Sequence, residues 1–404
     1  MREVNYRMFI FSGLAVLINA LILRFSYLIA PGAELTLLGF GDLGSLGVNP
    51  GVSIRVLGIL GLGGSVAPLF WKSGKYVSVS FFVTAFTAVG SIIVWAGIGS
   101  VFDIVGLLGL SLRLSTPIVL GAIAGLLCER TGVINIAIEG MMLTAACIGF
   151  TASLYVGNMW VGLFFAILSG GIIALLHAFL SVTMITDQII SGTVINILAV
   201  GLTGFIRRSF LLKARLSRTG ILPIIAVPLF SRIPIVGKIL FTNQPIVFMM
   251  MGLVIFVTVM LFNTRWGLRT RSIGEHPEAA DTVGINVFSM RYLNVMLGGF
   301  VAGLAGAWFS LETTGSFDDL MTNGKGFIAL AAMIFGKWHP VGAFMGGMIF
   351  GFSDALQIIF QIKDVPIPPQ ILWMLPYLIT MVVLAGVIGK STPPAADGAP
   401  YIKQ

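Results

Sequence analysis

Arg265-Trp-Gly-Leu-Arg-Thr-Arg-Ser-Ile-Gly-Glu-His-Pro-Glu-Ala-Ala-Asp-Thr-Val-Gly-Ile-Asn286 is a polar island between two apolar stretches. Residues 239–264 before it and 292–311 after it carry no charge. A bilayer crossing needs about 20 mostly apolar residues, so the island joins two membrane spans. Within it the sequence predicts a short helix from Pro277 to Val283. Pro277 suits the first helical turn, where its missing N–H has no intrahelical partner to serve. Glu278 in that turn complements the helix dipole. Gly284 supplies a left-handed residue that stops the helix. Ala279 and Ala280 keep one side of it small, a shape suited to a cleft in a partner.

The segment Gly274–Ile285 resembles the coupling-helix segment of permease subunits of ATP-binding-cassette importers. Two further stretches resemble the same family: Leu126-Leu-Cys-Glu-Arg-Thr-Gly-Val-Ile-Asn-Ile-Ala-Ile-Glu-Gly-Met-Met-Leu143 and Gly324-Lys-Gly-Phe-Ile-Ala-Leu-Ala-Ala-Met-Ile-Phe-Gly-Lys-Trp-His-Pro-Val-Gly342. The likeness is to the branch that moves ribose, other simple sugars, nucleosides and branched-chain amino acids. It covers residues 107–390 in order, and residues 1–106 have no counterpart in it. The resemblance implies an all-α polytopic membrane protein, a bundle of about 10–12 transmembrane helices, some broken. It divides the chain into an extension over 1–106 with three spans, a permease core over 107–390 and a cytoplasmic tail over 391–404. It implies a subunit of the cell membrane that uses no cofactor and hydrolyses no ATP itself. Two cytoplasmic ATPase subunits would receive Glu275, Pro277, Glu278, Ala279, Ala280 and Gly284. A second permease subunit, homologous or identical, would pair with the chain. An extracytoplasmic solute-binding protein or lipoprotein would deliver the solute, a nucleoside or simple sugar ahead of a branched-chain amino acid.

Composition agrees independently. Hydrophobic residues make up 57% of the 404 and charged residues 10%, against about 25% charged in soluble domains. The mean hydropathy is +1.01. Fifty glycines fit close helix packing in lipid. The net charge of +8 sits mostly in loops, and no basic run alternates with aromatics, so no nucleic-acid partner is implied. Cys128 and Cys147 lie in apolar spans without metal spacing and read as small core residues. Met8–Leu23 is long for a signal-peptide core and no small-residue cleavage site follows it.

The expected spans are 8–24, 54–71, 76–100, 107–127, 133–156, 158–178, 188–205, 245–262, 291–311, 340–362 and 370–389. A twelfth apolar stretch, 326–337, is too short for a full crossing and reads as a half-length element lining the bundle interior. With the 263–290 loop inside, both termini, Lys72, Lys75, Arg130 and Lys390 also fall inside, as the positive-inside rule asks. Residues 206–244 fall outside yet hold Arg207, Arg208, Lys213, Arg215, Arg218, Arg232 and Lys238. Small residues four apart, at Gly299/Gly303, Ala302/Gly306, Gly342/Gly346 and Gly347/Gly351, predict tight helix contacts.

Polar residues inside spans are costly and point to function or to interhelical bonding. Asn135, Thr193, Asn196, Asp354 and Gln357 are the candidates for a translocation pathway. Asn135 and Glu139, four apart, are placed on one helix face. Glu139 is expected to anchor the corner at Glu129 and Arg130. Leu168-Ser-Gly-Gly171 imitates an ATPase signature, but it lies in an apolar span and reads as a small-residue patch. Gly389-Lys-Ser-Thr392 ends a helix where a phosphate loop would start one. His177, His276 and His339 form no metal cluster in the sequence. An ion-coupled secondary transporter, using Glu139 and Asp354, is the alternative reading.

Overall fold

The computed structural model describes residues 2–30, 33–71, 74–214, 219–363, 365, 367–368, 370–374, 377 and 391–403. Lys72, Arg215, Arg218, Lys390 and most of the 370–389 span lie outside the described residues. The helices are α1 Arg2–Ser26, α2 Pro50–Trp71, α3 Gly74–Ala96, α4 Ile104–Glu129, α5 Ile138–Val156, α6 Met159–Ala178, α7 Gln188–Ile206, α8 Val236–Leu240, α9 Pro245–Asn263, α10 Arg265–Glu275, α11 Pro277–Thr282, α12 Val287–Ala307, α13 Lys325–Phe335 and α14 Pro340–Ile362. Short strands are β1 Thr36–Gly39, β2 Ser45–Val48, β3 Val101–Asp103, β4 Ile225–Ala226 and β5 Thr242–Asn243. Among the described residues, seven helices are long and apolar enough to cross a membrane, and α1, α2 and α3 add 25, 22 and 23 residues. The chain is an all-α polytopic membrane protein.

The contacts divide the chain into two compact units. One comprises Met1–Leu110, Pro228–Phe241 and Ser353–Lys390. Here α1, α2 and α3 pack on one another around a buried amide. Asn19 donates to Ser65 Oγ at 2.9 Å and to Thr84 Oγ1 at 3.0 Å, and accepts from Thr87 Oγ1 at 2.9 Å. A polar group in an apolar environment needs such partners, so the network fixes the register of the three helices. Beside them β1 pairs antiparallel with β2 and parallel with β3, a sheet that hydropathy gave no sign of. Lys238 pairs with Asp42 at 2.6 Å in the same unit.

The other unit comprises Ser111–Val227, Thr242–Phe352 and Ser391–Gln404. Its centre is the packing of α5, α6 and α12. The small-residue faces meet as their spacing predicts: a Cβ on Gly170 would stand 2.6 Å from Gly303 Cα, so α6 and α12 touch backbone to backbone. The signature-like Leu168–Gly171 patch is therefore a helix contact. Likewise a Cβ on Gly351 would meet Ser115 at 2.6 Å. The half-length element is real and spans α13, 11 residues. Helices α6, α7 and α12 each end in a π-helical turn, at Phe179–Thr183, Arg207–Leu211 and Trp308–Thr314.

The apolar run 221–241 does not form a crossing helix. Its flanks close as the β4–β5 pair, Ile225 opposite Asn243. The basic stretch that precedes it is partly neutralised: Arg207 pairs with Asp318 at 3.1 Å and with Asp319 at 2.9 Å. That pairing puts the stretch after α7 and the stretch after α12 at the same end of the unit.

Candidate functional site

The polar island folds as a helical elbow. Thr264 starts α10 by accepting from the Gly267 amide at 3.2 Å. Its charges hide from a hydropathy pattern the buried side made by Gly267, Thr270, Ile273 and Gly274, so the helix is not evident in the sequence. His276 turns the chain, and Pro277 occupies the first turn of α11 as expected. Val283 lies just past the helix end, and Gly284 has φ +83°. The Ile285 amide then bonds the Ala280 carbonyl at 3.1 Å, closing the helix. Glu275, Glu278 and Ala279 are exposed. Ala280 is 3% exposed and packs with Ile273, Val287 and Tyr401. The two alanines therefore do not share an outer side: adjacent helical positions point about 100° apart, and only Ala279 is offered outward. Between α10 and α11 lies a groove of about 580 Å³, bordered by Arg265, Leu268, Arg269, His276, Ala279 and Val283.

Several segments converge behind this elbow. The Arg130 guanidinium donates twice to the Trp338 carbonyl, at 2.9 and 2.7 Å, and the Trp338 indole donates to Glu129 Oε2 at 2.6 Å. This clamp holds the α13–α14 turn, where Lys337 and Trp338 take positive φ of 54° and 52°. A Cβ on Gly274 would stand against the Arg130 carbonyl. The C-terminal segment joins them, with the Ala396 amide on the Gly274 carbonyl at 2.8 Å.

Deeper in the unit, residues 133–137 are not helical, which corrects the span expected to start at 133. Side chains from α6 and α7 take up its backbone groups instead. Gln188 Oε1 accepts from the Ile134 amide at 2.7 Å, and His177 Nε2 bonds the Ile134 carbonyl at 2.9 Å. Asn196 donates to the Ile136 carbonyl at 3.0 Å and accepts from the Gly140 amide at 2.8 Å. Irregular backbone at membrane depth is tolerated only with such partners. Asn135 lies in this break, so it does not share a helix face with Glu139. It is fully buried, and its Oδ1 has no partner among the described residues.

Glu139 caps α13, not the Glu129–Arg130 corner. It accepts from Thr322 Oγ1 at 2.6 Å, from the Gly324 amide at 2.9 Å and from the Gly326 amide at 2.6 Å. Thr193 lies on the exposed side of α7, its hydroxyl bonded to the Ile189 carbonyl at 2.9 Å. Asp354 and Gln357 lie half-buried on α14, in the other compact unit. The structure thus brings Asn135 and Asn196 to the same break and leaves Thr193 on an outer face. Sequence reading missed Gln188 and His177 as backbone partners. Their only signal was a polar residue at the edge of an apolar span. It also passed over Arg113 on α4, whose Nε is buried without a partner among the described residues. No group of three or more His, Cys, Asp or Glu able to hold a metal occurs among the described residues.

Residues 107–385 match the family described as branched-chain amino acid transport system / permease component. A nucleoside ABC transporter permease protein, NupC of Lactococcus lactis subsp. cremoris (strain MG1363), is 39% identical over 298 residues, 72% of this chain and 94% of that one. A guanosine ABC transporter permease protein, NupQ of Bacillus subtilis (strain 168), is 38% identical over 320 residues, 74% of this chain and 99% of that one. A putative glucose ABC transporter permease protein, TsgC13 of Haloferax volcanii, is 34% identical over 302 residues, 69% of this chain and 91% of that one. No solved structure matches the chain.

Proposed function

The chain belongs to the family of the branched-chain amino acid transport system permease component, and from that membership we propose that it carries nucleosides inward as the membrane-spanning subunit of an ATP-binding-cassette importer. The observation that carries the solute is the 39% identity across 94% of a nucleoside permease. The likeness to a putative glucose permease is lower, 34% across 91% of that protein. Family membership displaces the ion-coupled alternative.

In this reading two ATPase subunits hydrolyse ATP, a second permease subunit completes the bundle, and an external binding protein delivers the solute. The ATPases grip the outer side of the elbow, at Glu275, Pro277, Glu278 and Ala279, with Gly284 ending α11 and Ala280 securing it from within. A ligand shifts a conformational equilibrium only if it binds the two states differently. A stiff elbow seated on the bundle gives ATP-driven closure something to pull. The elbow end also gathers Arg130, Arg265, Arg269, Arg271 and Lys337, which supports a cytoplasmic placement by the positive-inside rule. Both termini then lie inside as well. As pathway candidates we keep Asn135, Thr193 and Asn196 within one unit and, separately, Asp354 and Gln357 within the other.

The test is uptake of labelled guanosine into vesicles holding the permease pair, its ATPases and the binding protein, with ATP inside or outside. We expect uptake only with ATP on the elbow side, inhibited by other nucleosides and not by glucose or leucine. Glucose uptake at a higher rate than guanosine uptake contradicts the assignment.

A further inference from the structure

The C-terminal residues 391–403 have the composition of a loose tail, rich in Pro and Ala, yet they are held at five points. The Ala395 amide donates to Glu275 Oε2 at 3.2 Å. The Ala396 amide donates to the Gly274 carbonyl at 2.8 Å, and the Gly398 amide to the Gly132 carbonyl at 3.2 Å. The Ala399 carbonyl accepts from Arg291 Nη1 at 3.1 Å. Tyr401, 6% exposed, packs into the cluster of Ile273, Ala280 and Val287, its ring centroid 5.5 Å from that of Phe288.

These contacts reach α10, α11, α12 and the turn after α4. Glu275 and Gly274 end α10, Ala280 is the inner side of α11, Val287 and Arg291 begin α12, and Gly132 lies in the turn after α4. The approach is close: a Cβ on Gly132, whose φ is +79°, would stand 2.6 Å from the Ala396 carbonyl oxygen. Arg291 is 1% exposed. A buried guanidinium is tolerated only with partners. Its hydrogen-bond partners are the Thr131 carbonyl at 3.1 Å and the Ala399 carbonyl. Helix α11 has six residues and one buried side chain, Ala280. So short a helix has little hold of its own, and its inner side rests on Tyr401.

We infer that the C-terminal segment Ala395–Tyr401 is a clasp that fixes the α10–α11 elbow to the bundle, and that Tyr401 is a positioning residue for transmission of ATPase motion. This rests on the reading of α11 as the ATPase-docking helix. Without the clasp, the ATPases would still bind α11 and turn over, but α11 would move without carrying α12 and the α13–α14 turn.

The experiment uses the whole importer in vesicles and measures guanosine moved per ATP hydrolysed, together with amide exchange over 277–282. The variants are a chain ending at Ser391, Tyr401→Ala and Tyr401→Phe, with Ala279→Trp as the test of the docking surface itself. We expect the truncation and Tyr401→Ala to lower transport per ATP at least several-fold and to speed exchange over α11, with Tyr401→Phe near the parent. Unchanged transport per ATP in Tyr401→Ala and in the truncated chain, with Ala279→Trp uncoupled, overturns the clasp and leaves the docking reading standing. Normal coupling in Ala279→Trp overturns both. If the truncated chain does not accumulate, Tyr401→Ala decides by the same outcomes.

Discussion

The Gly326 amide donates to Glu139 Oε2 at 2.6 Å across 187 positions of sequence. With the Gly324 amide and the Thr322 hydroxyl on Oε1, one carboxylate meets three donors at the start of α13. A helix start leaves backbone N–H groups without intrahelical partners, and its dipole favours a negative charge there. A Cβ on Gly326 would stand 2.7 Å from Glu139 Cα, so only glycine lets the two elements approach this closely.

Glu139→Ala is therefore expected to lower stability by roughly 1–3 kcal/mol, the cost of leaving buried donors unpaired. Glu139→Gln, which keeps one acceptor oxygen, should lose less. Thermal unfolding in detergent reads the order. A Glu139→Ala protein as stable as the parent contradicts the capping role.

Asn196 and Thr193 separate structure from route. Both ends of the Asn196 amide serve backbone groups at the start of α5, so Asn196→Leu should lose roughly 1–3 kcal/mol of stability. Among the described residues the Thr193 hydroxyl bonds only its own helix, so Thr193→Val should keep the parent's unfolding temperature. If α7 borders the route, its guanosine uptake falls several-fold. Equal uptake in Thr193→Val and parent removes Thr193 from the route.

Gly170→Val tests the contact of α6 with α12. Its branched side chain would meet the Gly303 backbone, whose Cα lies 2.6 Å from where even a Cβ would stand. Overpacking of a tight interface costs about 1–3 kcal/mol or more. We expect the variant to reach the membrane at a fraction of the parent's level. Parent-like abundance and unfolding temperature would show that the two helices separate freely.

Much of this was legible in the sequence. Pro277, Gly284 and the shortness of the α13 stretch each carry a local rule that tertiary context did not override. The glycine pairs carry another, because lipid-embedded helices approach only where side chains are small. Three features were hidden for physical reasons. Residues 133–137 are apolar except for Asn135 and read as helix, but Gln188, His177 and Asn196 reach their backbone from other helices. Helix α10 is masked by its arginines. The tail over 391–403 is held through backbone groups, which leave no periodicity.

The tail also titrates. Burial pushes the Asp397 carboxyl up to about 7, opposed by Arg291 and facing Glu129. An aspartate in a free tail ionises near pH 4. The docked state therefore holds the proton more tightly, so docking weakens as pH rises from about 4 through the raised range. Exchange of the Ala396 amide, corrected for its intrinsic rate, should show more protection at low pH than at pH near 8. Asp397→Asn should flatten the dependence. Protection that increases with pH would contradict the assignment.

The proposed coupling depends most directly on the outward placement of Ala279. A photoreactive group on Ala279→Cys, with Phe210→Cys as the control at the other end of the bundle, reports which end meets the ATPases. Cys128 and Cys147 are buried and do not compete for the label. The account expects an ATPase cross-link from position 279, changing in yield between the ATP-bound and nucleotide-free importer, and none from position 210. An ATPase cross-link from position 210, or none from 279 in an importer that still hydrolyses ATP, would contradict it.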